Sequence, residues 1–124
     1  MSDRAALKQE LDDIDREMIK LSLKRVDVVN KMHHLATVTA MREAGEFSLK
    51  RLELELKGDI DHMKACCFMN TTVLPWRHIL GRNFFPNAMD AIPEYGPSRF
   101  SKQEAIESLT RVSEAIKKDL AALK

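Results

Sequence analysis

The sequence has few of the residues that interrupt helices or cross-link chains. Of its 124 residues, four are glycines, four are prolines and two are cysteines, and aromatic residues make up 6%. Three of the prolines fall between positions 86 and 97, so the long stretches on either side hold few helix breakers. The cysteines are neighbours, Cys66 and Cys67, and cannot staple distant segments. A disulfide framework is therefore excluded, and a reducing compartment, the cytoplasm, is expected.

The sequence also lacks an excess of one charge and a long apolar run. Charged residues make up 31% at a formal net charge of +1, which gives no reason to expect nucleic acid as a partner. No apolar run approaches the ~20 residues of a membrane span, so no membrane contact is expected. The start, MSDRAALKQELDD, is charged from its third residue, unlike a signal peptide. With 44% hydrophobic residues, we expect one domain over residues 1–124.

The strongest pattern is an apolar stripe in the first third of the chain. Its members follow one another at spacings of 4, 3, 4, 3, 4, 3, 4 and 3, the a/d repeat of a coiled coil. Ser2 or Asp3 can cap the start, and Gly45 suits the position just after a helix end. The pattern predicts a helix over residues 3–44. The stripe consists of Leu7, Leu11, Ile14, Met18, Leu21, Arg25, Val28, Met32 and Leu35.

The length of this helix predicts a partner chain. At ~1.5 Å per residue it would be about 60 Å long, whereas a compact globule of this mass is only about 35 Å across. A second copy is the simplest cover for the excess, so we expect a homodimer.

Two further helices and an ordered loop are predicted. Ser48 can cap a second helix, with Phe47 and Leu52 as a hydrophobic staple. Gly58-Asp59 could break or merely weaken this helix, and Pro75 ends or kinks it. Its apolar stripe is Leu49, Leu52, Leu56, Ile60, Met63 and Cys67.

The aromatic and proline-rich residues 76–100 read as an ordered loop with a short helix near Trp76 to Leu80. Trp76 and the other aromatic residues of this loop could line a pocket or pack over the end of the bundle. A capping box at Ser101–Glu104, preceded by Phe100 as a possible staple, starts the last helix. The inward face of that helix is Ala105, Leu109, Val112, Ile116, Leu120 and Leu123. The expected fold is all-α: a three-helix chain with a very long first helix, in an intertwined helical-bundle dimer.

Arg25 is the one charged member of the apolar stripe. Burying a guanidinium without partners is costly, so something must satisfy it. It could pair with a carboxylate such as Asp15 or an acid on another helix, or extend to solvent. It could equally bind an anion, because its fork pairs bidentately with carboxylates.

The stretch from Leu7 to Val29, with its L-D-x-I-D followed by L-x-x-x-R, resembles helix 1 of the all-helical (AroQ-class) chorismate mutases. The resemblance covers about thirty residues. It implies an interlocked dimer of three-helix chains in which arginines clamp the two carboxylates of chorismate for its rearrangement to prephenate, a step of aromatic amino acid biosynthesis. No cofactor is implied, and catalysis by such an isomerase is positioning and electrostatic stabilisation.

The resemblance assigns roles to particular residues. It implies Arg25 and Arg51 as catalytic residues that also bind substrate, with Lys8 and Ser48 as further substrate-binding residues. The sequence departs from the family pattern at several of its positions. Lys8 replaces an arginine, Ala36 stands where a lysine is usual, and Ser48 and Leu52 replace an acid and a glutamate.

Three functions therefore stay open. The first is a chorismate mutase-like enzyme, or a lyase acting on isochorismate. The second is a noncatalytic helical dimerisation or regulatory module on the same scaffold, and the third is an unrelated bundle. A metal is not expected: His62 and Cys66 have a ligand-compatible spacing, but no second pair completes a tetrahedral set.

Overall fold

The computed structural model describes residues 2–96 and 101–123, and within them the protein contains helices and no strand. The all-α class and the very long first helix are confirmed. The described segments hold five α-helices and one π-helical turn, where the sequence predicted three helices. The chain divides into two units, residues 1–37 and residues 38–124. None of the described helices is long and apolar enough to cross a membrane.

Helix α1 runs without a break over Asp3–Lys57. The chain is helical throughout residues 45–52. The predicted end at Gly45, the predicted cap at Ser48 and the predicted staple of Phe47 on Leu52 are therefore wrong. Ser48 and Leu52 are buried, whereas Phe47 is 71% exposed. An interior glycine costs a helix only ~1 kcal/mol. The small size of Gly45 is what the packing requires: a Cβ there would lie 2.5 Å from Phe85 Cζ and 2.9 Å from Leu120 Cδ2.

Of the two alternatives left open at Gly58-Asp59, the structure shows the break, since α1 ends at Lys57 and helix α2 spans His62–Phe68. Asp61 caps α2 by accepting a hydrogen bond from the Lys64 backbone N–H at 2.8 Å. The apolar stripe predicted across the break is partly wrong, because Met63 and Cys67 are exposed while Ile60 is buried. The predicted periodicity assumed one helix, and the break changes which residues face the core.

The segment before the last helix is ordered, and it contains more helix than predicted. A π-helical turn over Met69–Val73 follows α2, and the short helix expected near Trp76 is helix α3, Trp76–Ile79. Trp76 is buried, with its ring edge-on to Phe68 at 6.4 Å between centroids, so it packs in the core. Helix α4, Pro86–Ala91, was not predicted.

Two charged side chains hold α4 at its ends. Asp119 is 2% exposed and accepts hydrogen bonds from Asn87 Nδ2 at 2.7 Å, the Asn87 backbone N–H at 3.3 Å and the Ala88 backbone N–H at 2.8 Å. Arg77 donates to the carbonyls of Met89 at 3.1 Å and Ile92 at 2.8 Å. The acid therefore satisfies the unpaired N–H groups of the first turn, and the arginine satisfies carbonyls at the other end.

Helix α5, Lys102–Ala122, is the element that the sequence predicted best. Ser101 accepts from the Glu104 backbone N–H at 3.1 Å, which confirms the cap, while Phe100 lies outside the described residues. Ala105, Leu109, Val112 and Ile116 are fully buried, as predicted, and Leu120 and Leu123 are half-buried. They close a core whose largest fully buried side chains also include Leu52, Met69, Val73, Leu80, Phe85 and Ile92.

Candidate functional site

The apolar stripe of the first unit is open to solvent. All eight of its apolar side chains, from Leu7 to Leu35, are between 49% and 67% exposed. Contiguous exposed apolar surface is typical of interaction sites. The heptad spacing places these side chains along one side of α1, the arrangement by which a helix pairs with another helix.

Arg25 lies within this stripe and is exposed. Among the described residues of its unit, 2–37, no carboxylate pairs with it. Asp15, the partner suggested by the sequence, lies ten residues away on the same helix, about 15 Å along its axis. Within residues 2–37 this exposed guanidinium is therefore left without an acid.

Lys8 is an exposed residue near the start of the same helix. Seventeen residues separate it from Arg25, about 25 Å along the helix axis. One copy of the helix thus does not bring the two cations together. The substrate-binding role that the resemblance implies for Lys8 stays a prediction.

Ser48 and Arg51 belong to the second unit, one turn apart near the end of α1. Ser48 is 2% exposed. The Arg51 guanidinium is fixed from two directions: Nη1 donates to Glu55 Oε2 at 3.2 Å, and Cζ lies 5.1 Å from the centre of the Phe68 ring. The Glu55 contact follows the i, i+4 spacing and could have been read from the sequence. The Phe68 contact joins two helices and could not.

Arg51 borders an open cleft between α1 and α2. The cleft is also lined by Lys64, Thr71 and Thr72. The Thr71 hydroxyl donates its proton to the Cys67 carbonyl at 2.7 Å, so Arg51 and Lys64 are the charged donors of the cleft. Two cations face one carboxylate, Glu55, which leaves an excess of one positive charge. This chemistry suits a small anion that accepts hydrogen bonds from the arginine fork.

Across residues 2–96 and 101–123 no three His, Cys, Asp or Glu side chains come together as a possible ligand set. Cys66 and Cys67 are both free thiols.

The sequence did not single out Asp119 or Arg77, which organise α4. Asp119 gives a weak signal, since it lies three residues after Ile116 and thus on the buried face of α5. Arg77 gives none, because its acceptors are backbone carbonyls twelve and fifteen residues along the chain.

Comparisons with protein-family models, with curated proteins and with solved structures found no match to this chain.

Proposed function

We propose that this protein is a noncatalytic helical dimerisation module whose interface is the apolar stripe of residues 7–35. The observation that carries the proposal is the exposure of all eight apolar side chains at a/d spacing. Fully burying a side chain of this type contributes about 1.5–3 kcal/mol, so eight from each chain supply ample driving force for association. Both thiols are free, and we accordingly propose the cytoplasm as the location of the dimer.

The dimer is tested by sedimentation equilibrium at micromolar concentration. Wild type should have a mass near twice 14.2 kDa. Leu21→Glu puts a charge into the stripe and should give monomers. Ile19→Glu is the matched control, because Ile19 is as exposed as Leu21, at 61%, but lies outside the stripe. A monomeric wild type with full helical circular dichroism, or equal disruption by both substitutions, would contradict the proposal.

A second candidate function is a chorismate mutase-type isomerase, or a lyase acting on isochorismate. The favouring observation is the Arg51 guanidinium, held by Glu55 and Phe68 beside a cleft that also contains Lys64. Arg51 and Lys64 suit a carboxylate of a small dicarboxylate, and the family resemblance separately implies a substrate-binding role for Arg25.

This candidate is tested by following loss of chorismate absorbance and formation of prephenate. Activity abolished by Arg25→Ala in a still-folded dimer would support it. Arg25→Met provides a second measurement: a dicarboxylate that occupies the site should raise the melting temperature of wild type by mass action and leave this variant unchanged. Activity that survives Arg25→Ala would exclude the assigned site, and a lack of any turnover would leave the dimerisation module as the function.

A further inference from the structure

We infer that the occupant of the apolar stripe is a second copy of this chain running antiparallel, in the register that seats Met18 of one copy against Leu21 of the other. The inference rests on the proposed dimerisation function and adds its orientation and register. It is carried by the charges that flank the stripe. The a positions are Leu11, Met18, Arg25 and Met32, and the d positions are Leu7, Ile14, Leu21, Val28 and Leu35.

A parallel, in-register pair is opposed by two contacts. Identical positions face each other in such a pair, so the Arg25 guanidinium of one chain would meet that of the other inside the seam. The g positions then face e positions five residues later, which sets Glu10 against Asp15. Both contacts are like-charged; the Arg25 pair occurs once, and the Glu10–Asp15 contact occurs twice because the pair is symmetric. Like charges brought together away from water are destabilising.

An antiparallel pair reverses this balance. In that arrangement g positions face g positions, and the sequence places acids at the first two, Glu10 and Glu17, and lysines at the next two, Lys24 and Lys31. With Met18 on Leu21, Glu10 faces Lys31 of the other copy and Glu17 faces Lys24. All four such contacts of the symmetric pair are attractive.

The charges also select one register. A shift by one heptad in either direction brings Glu17 against Glu17, or Lys24 against Lys24, of the other copy. The inferred register forms the apolar layers Leu7–Met32, Leu11–Val28 and Met18–Leu21, and it leaves Leu35 opposite Arg4 at the end of the stripe.

The same register provides Arg25 with an acid. Arg25 then shares a layer with Ile14 of the other copy. The residue after Ile14 is Asp15, which occupies an e position. The side chain of an a-position residue such as Arg25 leans towards the e side of the seam. The guanidinium that pairs with no carboxylate in its own unit thus meets one from the second copy, and this happens twice in the dimer.

Contacts within a single helix do not compete strongly with these pairs. Glu17 contacts Lys20 at 3.4 Å and Lys31 contacts Asp27 at 2.9 Å, but all four side chains are at least 64% exposed. Exposed pairs of this kind contribute little to stability, so the side chains can turn towards a partner.

The decisive experiment exchanges the flanking charges. One chain carries Glu10→Lys with Glu17→Lys, and the other carries Lys24→Glu with Lys31→Glu. Each alone should dimerise about 100-fold more weakly than wild type, because four attractive contacts become repulsive. An equimolar mixture should form a heterodimer of wild-type affinity. Affinities are measured by sedimentation, with the masses of the mixture resolved by native mass spectrometry.

The outcome separates failure of the orientation from failure of the dimer. In a parallel pair the first double variant would dimerise more tightly, because the new charge at position 10 would face Asp15, and the second would be nearly unchanged. That result would overturn the inference and leave the dimerisation module standing. A wild type that stays monomeric would overturn both.

Disulfide trapping checks the register independently, in a background of Cys66→Ser and Cys67→Ser. A mixture of chains carrying Leu11→Cys and Val28→Cys should oxidise chiefly to the cross-linked heterodimer. Each variant oxidised alone should stay largely uncross-linked. Efficient 11–11 and 28–28 disulfides would instead show parallel chains and overturn the inference.

Discussion

Asp119 is the single carboxylate whose loss should most destabilise the packed helices of residues 38–123. It is 2% exposed and accepts three hydrogen bonds, of which the shortest to backbone comes from the Ala88 N–H at 2.8 Å. Ala88 itself is fully buried, so in Asp119→Ala no water can readily replace the lost oxygen. A buried donor left without an acceptor costs about 1–3 kcal/mol. Losing a helix cap costs about 1 kcal/mol more.

We therefore expect Asp119→Ala to lower the free energy of unfolding by about 2–4 kcal/mol and the melting temperature by roughly 10–20 °C. Asp119→Asn keeps one acceptor oxygen and should lose about half as much. Urea unfolding followed by fluorescence measures this directly, because Trp76 is the only tryptophan and is buried in the same core.

Asp90→Ala is the matched control for the same helix. Asp90 contacts Arg82 at 2.9 Å with both side chains at least 63% exposed, and exposed pairs contribute ~1 kcal/mol or less. If Asp119→Ala is no more destabilising than Asp90→Ala, the buried carboxylate does not hold α4 and the reasoning fails.

Three further predictions test other parts of the same unit. Gly45→Ala should destabilise it by about 1–3 kcal/mol in urea unfolding, because the new Cβ meets the buried Phe85 ring. Gly58→Ala is the control: its Cβ has no neighbour closer than 3.4 Å, so this variant should stay within ~1 kcal/mol of wild type. Arg77→Met should cost about 1–3 kcal/mol by leaving two carbonyls of α4 without this donor, and Arg82→Met should be nearly neutral in the same assay. The hydrogen bond from the Lys64 N–H lowers the pKa of Asp61 below its ordinary value of 3.8. Ionised Asp61 therefore contributes its full stabilisation above pH 3.8, and this contribution is lost as the pH falls through the lowered pKa. A carboxyl NMR titration should find this lowered pKa, and Asp61→Asn should flatten that part of the stability–pH curve; an Asp61 that titrates at or above 3.8 would refute the assignment.

Local signals predicted the parts of the fold that depend on local contacts. Helix α5 was located correctly because Ser101 caps its start and its apolar residues recur at helical spacing. The end of α1 was misplaced because Gly45 carries two meanings in sequence. It is a good helix terminator, and it is also the residue that allows close approach of a ring from elsewhere in the chain, here Phe85. Only the position of the ring decides between the two.

Helix α4 shows why the rest was not predictable. It has six residues, too few to display a periodicity, and isolated helices of that length are unstable in water. Its stability comes from Asp119 and Arg77, which the fold supplies from other helices. The candidate site likewise has a part that the sequence predicts and a part that it does not. The Arg51–Glu55 pair follows from i, i+4 spacing, whereas the contact of Arg51 with the Phe68 ring depends on the turn at Gly58.

Arg25 limits the ways in which two copies of the apolar stripe can pair. A polar residue at a single a position lowers the stability of a coiled coil, but it also rules out the arrangements in which that residue has no partner. In a parallel pair Arg25 would face its own copy, and in its own unit no acid pairs with it; the antiparallel register with Asp15 satisfies it. The other a and d residues do not select a register by themselves, because they are all Leu, Ile, Val or Met. The pairing of Arg25 with Asp15 therefore favours the same direction and alignment of the two chains as the flanking charges do.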